Sequence, residues 1–443
     1  MESKLVVKAG IIAFTTAIGY VLIGYFTQRT QFVQLLLLHS FVFGLYLWLV
    51  KLPITYKSGL FLALFFRSIF LFATPALSDD FYRFIWDGTL VANGQNPFLH
   101  LPSYYAENQF APPGLTPFLF QKLNSPDYFS VYPPVCQFIF GVANAIGGDS
   151  IWLNCLVMRL FIFAAETGSL FLMLKLLPLV KLPVKQIWWY AFNPLVIVEL
   201  TGNLHFEGIL IFFLLLSLFL LLKNKRALSA IAFALAVAVK LWPLMFLPFL
   251  LKSLKIKAFL FYATIVGFLL TLLFAPFLSI QLLHNILNSV NLYFQKFEFN
   301  ASVYYVLRWL GYHWRGYNEI AYIGRFLSLA TFIGIITLAF KRSSLIPQQL
   351  PYFFTLAVSI YLFLATIVHP WYITPLVALA TCTHWRYPIV WSGVVIVSYA
   401  TYTTQLYKEN LYLVALEYFI VFTVLFLETR KVINLDKDVI ANQ

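Results

Sequence analysis

Three carboxylates stand close together in the run SDDFYRFIWDG, directly after an apolar segment: Asp79, Asp80 and Asp87. If residues 80–88 form a helix, Asp80 and Asp87 are seven positions apart and share one face, with Arg83 between them. Clustered carboxylates of this kind can supply a general base or bind a divalent metal ion. The alternative is structural, because Asp79 could cap the helix that follows and Asp87 could pair with Arg83.

A second group of polar side chains lies in the run NPLVIVELTGNLHFEG, between two apolar segments. Its members are Glu199, Asn203, His205 and Glu207. Ionisable groups at membrane depth are costly to bury and are usually functional. These side chains could bind a sugar or a phosphate, or they could pair with Arg159 or Lys240 as structural ties. Arg67, inside another apolar segment, likewise needs a buried partner, for which Glu166 is one candidate.

Three further runs carry side chains that could contact a ligand. They contribute Tyr132 in SVYPP, Arg308 and Arg315 in a stretch rich in aromatic residues, and His369 in VHPWY. Positive groups can hold a phosphate, and aromatic rings can stack on the face of a sugar. The structural alternatives are an ordinary helix start, an interfacial aromatic belt and a helix that ends at a proline.

The elements that must position these side chains are membrane helices, as the composition indicates. Of the 443 residues, 61% are hydrophobic and 11% are charged, and the mean hydropathy is +0.83. Soluble domains carry about 25% charged residues, so a soluble enzyme, a disordered chain and a nucleic-acid-binding protein are excluded. Long, continuous apolar runs exclude a β-barrel. The three cysteines have no paired spacing and predict neither a zinc site nor a disulfide framework.

We therefore predict an all-α, polytopic transmembrane protein with 11–14 membrane segments in one domain that covers residues 1–443. A full span needs roughly 20 residues. The segments at 227–240 and 241–251 are shorter, and prolines interrupt the second, which favours broken or re-entrant helices. The apolar segments are 7–27, 31–50, 58–77, 153–175, 186–200, 206–222, 227–240, 241–251, 256–275, 318–340, 350–367, 371–384, 387–404 and 409–428.

The distribution of basic residues predicts the topology. Nineteen of the 30 lysines and arginines fall in alternate loops on one side, with only four of the 17 acids. The positive-inside rule places that side in the cytoplasm, with both termini and a tail at 429–443. Two long polar stretches, 78–152 and 276–317, are then extracytoplasmic loops that carry interfacial helices. The cytoplasmic basic residues are Lys4, Lys8, Lys51, Lys57, Lys175, Lys181, Lys185, Lys223, Lys225, Arg226, Lys252, Lys255, Lys257, Lys341, Arg342, Arg386, Arg430, Lys431 and Lys437.

The order of the polar runs resembles that of a known family. SDDFYRFIWDG with NGQNPFLH, then YPP, NPLVIVELTGNLHFEG and HPWY, is similar to the GT-C superfamily of integral membrane glycosyltransferases over residues 58–385. Within it, the chain resembles bacterial polyprenyl-phosphate-mannose-dependent mannosyltransferases and, more distantly, the first mannosyltransferase of GPI-anchor synthesis. It departs in one respect, because two apolar segments precede the helix with which the superfamily core begins.

The resemblance implies an inverting sugar transfer on the extracytoplasmic face, with a polyprenyl-phosphate sugar as the donor. The base of the family is an acid early in the first outer loop, a position that falls on Asp80, and Asp79 completes the catalytic doublet. No cofactor is expected, although the two carboxylates could bind a divalent metal ion. The candidate substrate-binding residues are Arg83, Asp87, Tyr132, Glu199, Asn203, His205, Arg308, Arg315 and His369. Of these, His205, Arg308 and Arg315 are the candidates for stabilising the leaving phosphate.

We therefore expect a hexosyltransferase, most simply a mannosyltransferase, in a bacterial inner membrane. Its partners would be the polyprenyl-phosphate donor, a glycan or glycolipid acceptor and the lipid bilayer, with no nucleic acid. A transporter or flippase of lipid-linked sugars is the main alternative. It predicts charged residues near the bilayer midplane and on both sides, whereas the acids concentrate outside. A third alternative, a structural assembly subunit, would not need large outer loops rich in acids and histidine.

Overall fold

The protein is built from helices, as predicted. A computed structural model describes residues 2–107, 111–282, 284–285, 297–404 and 407–441, without the side chains of residues 2–6 and 431–441. In these residues β-pairing is limited to a single isolated parallel bridge between Phe299 and Ile367. The all-α class is therefore confirmed.

The first eight helices lie before, within and after the predicted first outer loop in the sequence. Two long helices and a shorter one precede the loop, four short helices lie within it, and a long helix follows. They are α1 (Glu2–Phe26), α2 (Phe32–Leu49), α3 (Tyr56–Ser68), α4 (Asp80–Ala92), α5 (Pro102–Glu107), α6 (Pro117–Gln121), α7 (Pro134–Gly147) and α8 (Ile151–Leu179).

The rest of the chain alternates long apolar helices with short ones. In the predicted second outer loop, residues 283 and 286–296 lie outside the described residues, and a helix follows them. The last helix continues through the predicted tail. The helices are α9 (Trp188–Ala191), α10 (Pro194–Val196), α11 (Glu207–Leu222), α12 (Arg226–Val239), α13 (Leu247–Leu254), α14 (Ile256–Phe274), α15 (Val303–Arg315), α16 (Ile320–Phe340), α17 (Leu350–Leu364), α18 (Ile373–Thr381), α19 (Tyr387–Val394) and α20 (Leu411–Ala441).

Six helices in the described part of the chain are long and apolar enough to cross a membrane: Val7–Phe26, Phe32–Leu49, Ile151–Leu179, Ile256–Phe277, Ile320–Phe340 and Leu411–Arg430. A seventh span is formed if the pair Pro194–Gly202 and Glu207–Leu222, bent by 113°, counts as one. The number of helices that can cross a membrane alone is smaller than the 11–14 predicted segments. The reason is that several of the predicted segments fold as short helices. The segments at 227–240 and 241–251 form the short apolar helices Arg226–Val239 and Trp242–Leu254.

The hairpin of α1 and α2 places its connection beside the start of the first outer loop. The backbone N–H of Arg29 donates to the carbonyl of Ala76 at 3.2 Å. At the end of α1, the Tyr25 hydroxyl donates to the carbonyl of Ile69 at 2.7 Å. The two helices that precede the expected core are thus attached directly to the segment that carries Asp79.

A close contact between α4 and α7 fixes the outer loop against the helix bundle. A Cβ atom added to Gly88 would lie 2.4 Å from the carbonyl oxygen of Phe140, nearer than real Cβ atoms approach. Glycine is therefore required for the backbones to approach this closely. This close packing explains the glycine of the WDG run, and a buried ion pair with Arg83 explains its aspartate, Asp87.

The buried arginine predicted to need a partner has one. The Arg67 Nε donates to Glu166 at 3.0 Å, and both side chains are fully buried. Arg67 also donates to the carbonyls of Ala63 and Ala191, and the Tyr190 hydroxyl donates to Glu166. A buried ion pair of this kind is tolerated because the hydrogen bonds satisfy both charges.

The run that contains Glu199 is not a regular α-helix. Residues Ile197–Gly202 form a π-helical turn, and Leu204 follows with a positive φ of 63°. The Arg159 side chain closes the end of this turn by donating to the carbonyls of Thr201 at 2.8 Å and Gly202 at 3.1 Å. Arg159 is therefore a structural tie to backbone carbonyls rather than to the acids of the run. Single π-helical turns often mark functional sites.

Candidate active site

Asp79 and Asp80 lie where the chain enters α4. Asp79 occupies the N-cap position, but its side chain makes no capping hydrogen bond. It forms an ion pair with Arg29, from the connection between α1 and α2, 50 residues earlier in the chain. The carboxylate of Asp80, partly exposed, accepts a hydrogen bond from the Asn124 side chain at 2.9 Å. The expected cap by Asp79 is thus wrong, because a tertiary ion pair takes its place.

Asp87 is fully buried and its two oxygens are occupied. Arg83 Nε donates to one oxygen at 2.8 Å, while the Ser130 hydroxyl and the Gln137 amide donate to the other. Arg83 also donates to the carbonyl of Tyr128 at 2.9 Å. The predicted pairing of Asp87 with Arg83 is confirmed. Both residues hold the outer loop together, and their contact with a substrate stays a prediction.

A cavity of about 570 Å³ lies beside Asp79. Its wall carries two cations, one carboxylate, three tyrosines and an amide that also binds Asp80. Burial raises the pKa of the Asp79 carboxyl, although the Arg29 guanidinium beside it acts in the opposite direction. The lining residues are Arg29, Asp79, Tyr82, Gln121, Lys122, Leu123, Asn124, Tyr402 and Tyr407.

Behind this wall, Glu199 is the centre of a buried polar cluster. Its carboxylate accepts hydrogen bonds from the Tyr399 hydroxyl at 2.8 Å and the Asn203 amide at 3.2 Å, and His205 Nε2 lies 3.2 Å away. The oxygen of the Asn203 amide accepts from the backbone N–H of Leu77 at 3.3 Å. Because Leu77 lies two residues before Asp79, this cluster supports the start of the predicted first outer loop.

Two histidines and a tryptophan form a stack next to that cluster. The rings of His205 and Trp371 are 3.8 Å apart, and those of Trp371 and His369 are 4.3 Å apart. Burial lowers the pKa of His369 to about 4, while the charge of Asp80 acts to raise it. His369 is therefore neutral at pH 7 and lies within electrostatic reach of Asp80. The structure thus brings Glu199, His205 and His369 close to the outer loop.

The remaining predicted binding residues lie away from the cavity wall. Arg308 forms an ion pair with Glu298, and Arg315 lies 3.3 Å from Glu319. Tyr132 packs edge-on against the rings of Phe84 and Phe140. The roles of Arg308, Arg315 and Tyr132 toward a substrate stay predictions.

Glu207, by contrast, forms the predicted ion pair with Lys240. This pair is partly exposed on the lysine side, where the Lys240 ammonium lies 5.4 Å from the centre of the Tyr372 ring. The structural alternative for Glu207 is confirmed.

The comparison with known families decides the assignment. Residues 22–254 match the family model of the alpha-(1->6)-mannopyranosyltransferase N-terminal domain. The chain belongs to this mannosyltransferase family. The matched residues include the α1–α2 connection, the predicted first outer loop, and Glu199, Asn203 and His205 of the buried cluster. The predicted resemblance to membrane mannosyltransferases is confirmed.

One curated relative shows the same likeness over a shorter stretch. Alpha-(1->6)-mannopyranosyltransferase A of Corynebacterium glutamicum is 25% identical over 191 residues, which are 40% of this chain and 35% of the relative. The match thus covers about a third of the length of that mannosyltransferase.

The carboxylate doublet of this mannosyltransferase family member is a poor fit for a metal ion. Asp79 is occupied by a guanidinium and Asp80 by an amide N–H. Across the described residues, no group of three or more histidine, cysteine or acidic side chains is placed to hold a metal ion.

Apart from Asp79, the sequence patterns singled out none of the residues that line the cavity, among them Arg29, Lys122, Asn124 and Tyr402. For Arg29 a signal existed. It lies in the five-residue connection between α1 and α2, on the side that the charge pattern predicts to be opposite the basic clusters. A lone arginine on the acid-rich side runs against the positive-inside pattern and can mark a functional residue.

Proposed function

We propose that the protein is an inverting mannosyltransferase that uses a polyprenyl-phosphate mannose donor. It would transfer mannose to a lipid-linked or glycan acceptor on the extracytoplasmic face of a bacterial inner membrane. The observation that carries the proposal is the position and partial exposure of the Asp80 carboxylate. It lies between two residues of the cavity wall, next to Asp79 in sequence and hydrogen-bonded to Asn124, and its carboxylate is partly exposed.

The other two acids of the loop are less suited to act as the base. Asp79 is held by Arg29, and Asp87 is fully buried with both oxygens hydrogen-bonded. A general base must reach the proton that it removes. Of the three carboxylates in the described structure, Asp80 is the one that is partly exposed and not paired with an arginine.

The proposed reaction is a single displacement. Asp80 takes the proton of the acceptor hydroxyl while the oxygen attacks the anomeric carbon of mannose. The bond from that carbon to the phosphate oxygen breaks on the opposite face, and the polyprenyl phosphate leaves with the electron pair. Attack opposite the leaving group inverts the anomeric centre. Cationic groups of the wall stabilise the charge that develops on the phosphate.

Charge and packing support the proposed orientation. The positive-inside rule places both termini in the cytoplasm and the first loop outside. The contact between Arg29 and Asp79 joins the α1–α2 connection to the same end of the bundle as that loop. A multi-pass body accounts for the donor, because its polyprenyl chain stays in the bilayer while the phosphate reaches the loop.

The test measures transfer of radiolabelled mannose from polyprenyl-phosphate mannose into membrane glycolipids. Asp80→Asn should reduce transfer roughly a hundredfold or more, because general base catalysis contributes about 10²–10⁴-fold. Asp127→Asn changes an exposed acid of the same loop and should keep normal activity. A parallel arm with EDTA tests metal dependence. An active Asp80→Asn enzyme would overturn the assignment, and binding or movement of the donor without any transfer would favour a flippase.

A further inference from the structure

The cavity wall contains an arginine that is held in place but keeps free donors. Arg29 binds Asp79 through Nη2, its guanidinium lies 4.9 Å from the centre of the Tyr402 ring, and its side chain is 21% exposed. Within the described residues, no further hydrogen bond uses its Nε or Nη1. Arginine has five N–H donors in a rigid fork. The donors that remain are available to an anion in the cavity.

A second cation lines the same cavity. Lys122 follows α6, is exposed, and acts electrostatically on Asp79 across the cavity wall. Its ammonium lies 5.7 Å from the centre of the Phe118 ring, and no carboxylate in the described part of the chain forms an ion pair with it. The two cations come from separate parts of the chain and meet at one cavity.

Two other cations near the predicted outer loops are already neutralised. Arg308 pairs with Glu298, and Lys240 pairs with Glu207. Neither contributes to the wall of the cavity. An anionic group that enters this cavity therefore meets Arg29 and Lys122.

The lipid-facing surroundings of Arg29 select the kind of anion. Both helices of the α1–α2 hairpin are candidate membrane spans, and only 28% of each span is buried inside the protein. Their exposed apolar faces adjoin the bilayer, and Arg29 stands at their connection. A phosphate carried on a lipid chain can reach this position with its chain still among lipids. The planar fork of arginine matches the geometry of phosphate oxygens.

We propose that Arg29 and Lys122 form the binding site for the phosphate of the polyprenyl donor, which makes the α1–α2 hairpin part of the active site. This inference rests on the proposed mannosyltransferase function. Asp79 is then a positioning residue that holds Arg29 at the wall. Asp80, one residue further on, is left to act on the acceptor.

The experiment separates donor binding from turnover by using the Asp80→Asn background. Binding of radiolabelled polyprenyl-phosphate mannose to the purified full chain is measured with and without a second change. Adding Arg29→Gln should weaken binding roughly ten- to hundredfold, which corresponds to the loss of a hydrogen bond to a charged group. Arg29→Lys should have an intermediate effect because it keeps the charge and loses the fork.

Two controls make the result specific. Arg342→Gln removes an exposed arginine that lies 5.8 Å from the centre of the Phe353 ring, on the predicted cytoplasmic side, and should bind the donor normally. Lys122→Gln changes an exposed side chain, so it tests the site even if Arg29→Gln fails to fold. Polyprenyl phosphate without sugar should compete for binding in the Asp80→Asn protein, whereas neutral polyprenol should not.

The outcomes distinguish the two proposals. Donor binding by the Asp80→Asn protein that falls with Arg29→Gln and Lys122→Gln supports the phosphate site. Donor binding that is unchanged by these substitutions overturns the phosphate site and leaves the mannosyltransferase proposal standing. If neither the wild-type nor the Asp80→Asn protein binds the donor, the proposed function fails, and the phosphate site fails with it.

Discussion

The Tyr399 hydroxyl donates a hydrogen bond of 2.8 Å to the Glu199 carboxylate, across 200 residues of sequence. Both side chains are fully buried. Through Asn203, the same carboxylate is connected to the backbone of Leu77, just before Asp79 and Asp80. The carboxyl-terminal part of the chain thus supports the loop that carries the proposed base.

Removing this hydrogen bond should destabilise the protein. Tyr399→Phe deletes a donor to a buried carboxylate, which costs about 1.5–3 kcal/mol. The free energy of unfolding in detergent measures the effect. Tyr312→Phe alters an exposed tyrosine and should stay within about 0.5 kcal/mol of wild type. Equal stability of the two variants would show that the Tyr399 contact does not hold the fold.

Asp80 and Asp87 should separate activity from stability. Asp87→Asn leaves the buried Arg83 without its counter-charge, and breaking such a pair costs about 3–5 kcal/mol. Asp80→Asn changes a partly exposed side chain and should cost about 0.5 kcal/mol or less. We therefore expect Asp80→Asn to lose transfer with normal unfolding, and Asp87→Asn to unfold early. Unfolding measured beside transfer for both variants checks this, and a stable but inactive Asp87→Asn protein would instead favour direct substrate contact.

Gly88→Ala should force α4 and α7 apart. The added Cβ would meet a backbone carbonyl of Phe140, which cannot rotate away, and such overpacking costs about 1–3 kcal/mol. In the matched control, Gly44→Ala, the new methyl meets nothing within 4 Å and replaces a glycine in a helix. That control should be neutral or stabilising by up to about 1 kcal/mol. The midpoint of thermal unfolding should fall for Gly88→Ala and should stay the same or rise for Gly44→Ala.

Glu409 should make the stability of the fold depend on pH. Burial raises the pKa of its carboxyl to about 7, and the Glu298 charge adds to this, while the backbone N–H of Asn300 opposes it. Since the folded protein holds the proton more tightly than the unfolded chain, the stabilisation is complete below the unfolded pKa of 4.5 and is lost as the pH rises through about 7.

We therefore expect the free energy of unfolding to fall between pH 5 and pH 8, as a direct consequence of this linkage. Glu409→Gln cannot titrate and should remove this part of the fall. Unfolding measured against pH for wild type and variant isolates the contribution of the one carboxyl. Parallel curves for the two proteins would contradict the predicted contribution of Glu409.

Several features followed from the sequence because they depend on local patterns. Apolar run lengths predicted the helical membrane body. The spacing of Arg83 and Asp87 by four positions predicted their ion pair, since side chains so placed on a helix are neighbours. A buried arginine must be neutralised, and that requirement made Glu166 a candidate partner of Arg67, which the structure confirms across 99 residues.

Other features were decided by tertiary structure alone. The local rule predicted that Asp79 caps α4, but the packing of the α1–α2 hairpin brings Arg29 to it across 50 residues. Lys122 reaches the cavity from the residue after α6, and Tyr402 from the segment between α19 and α20. No periodicity of the sequence encodes that meeting. Hydropathy and spacing describe what each segment buries by itself. Which separate segments meet depends on how the helices pack, and this packing creates the cavity and its charges.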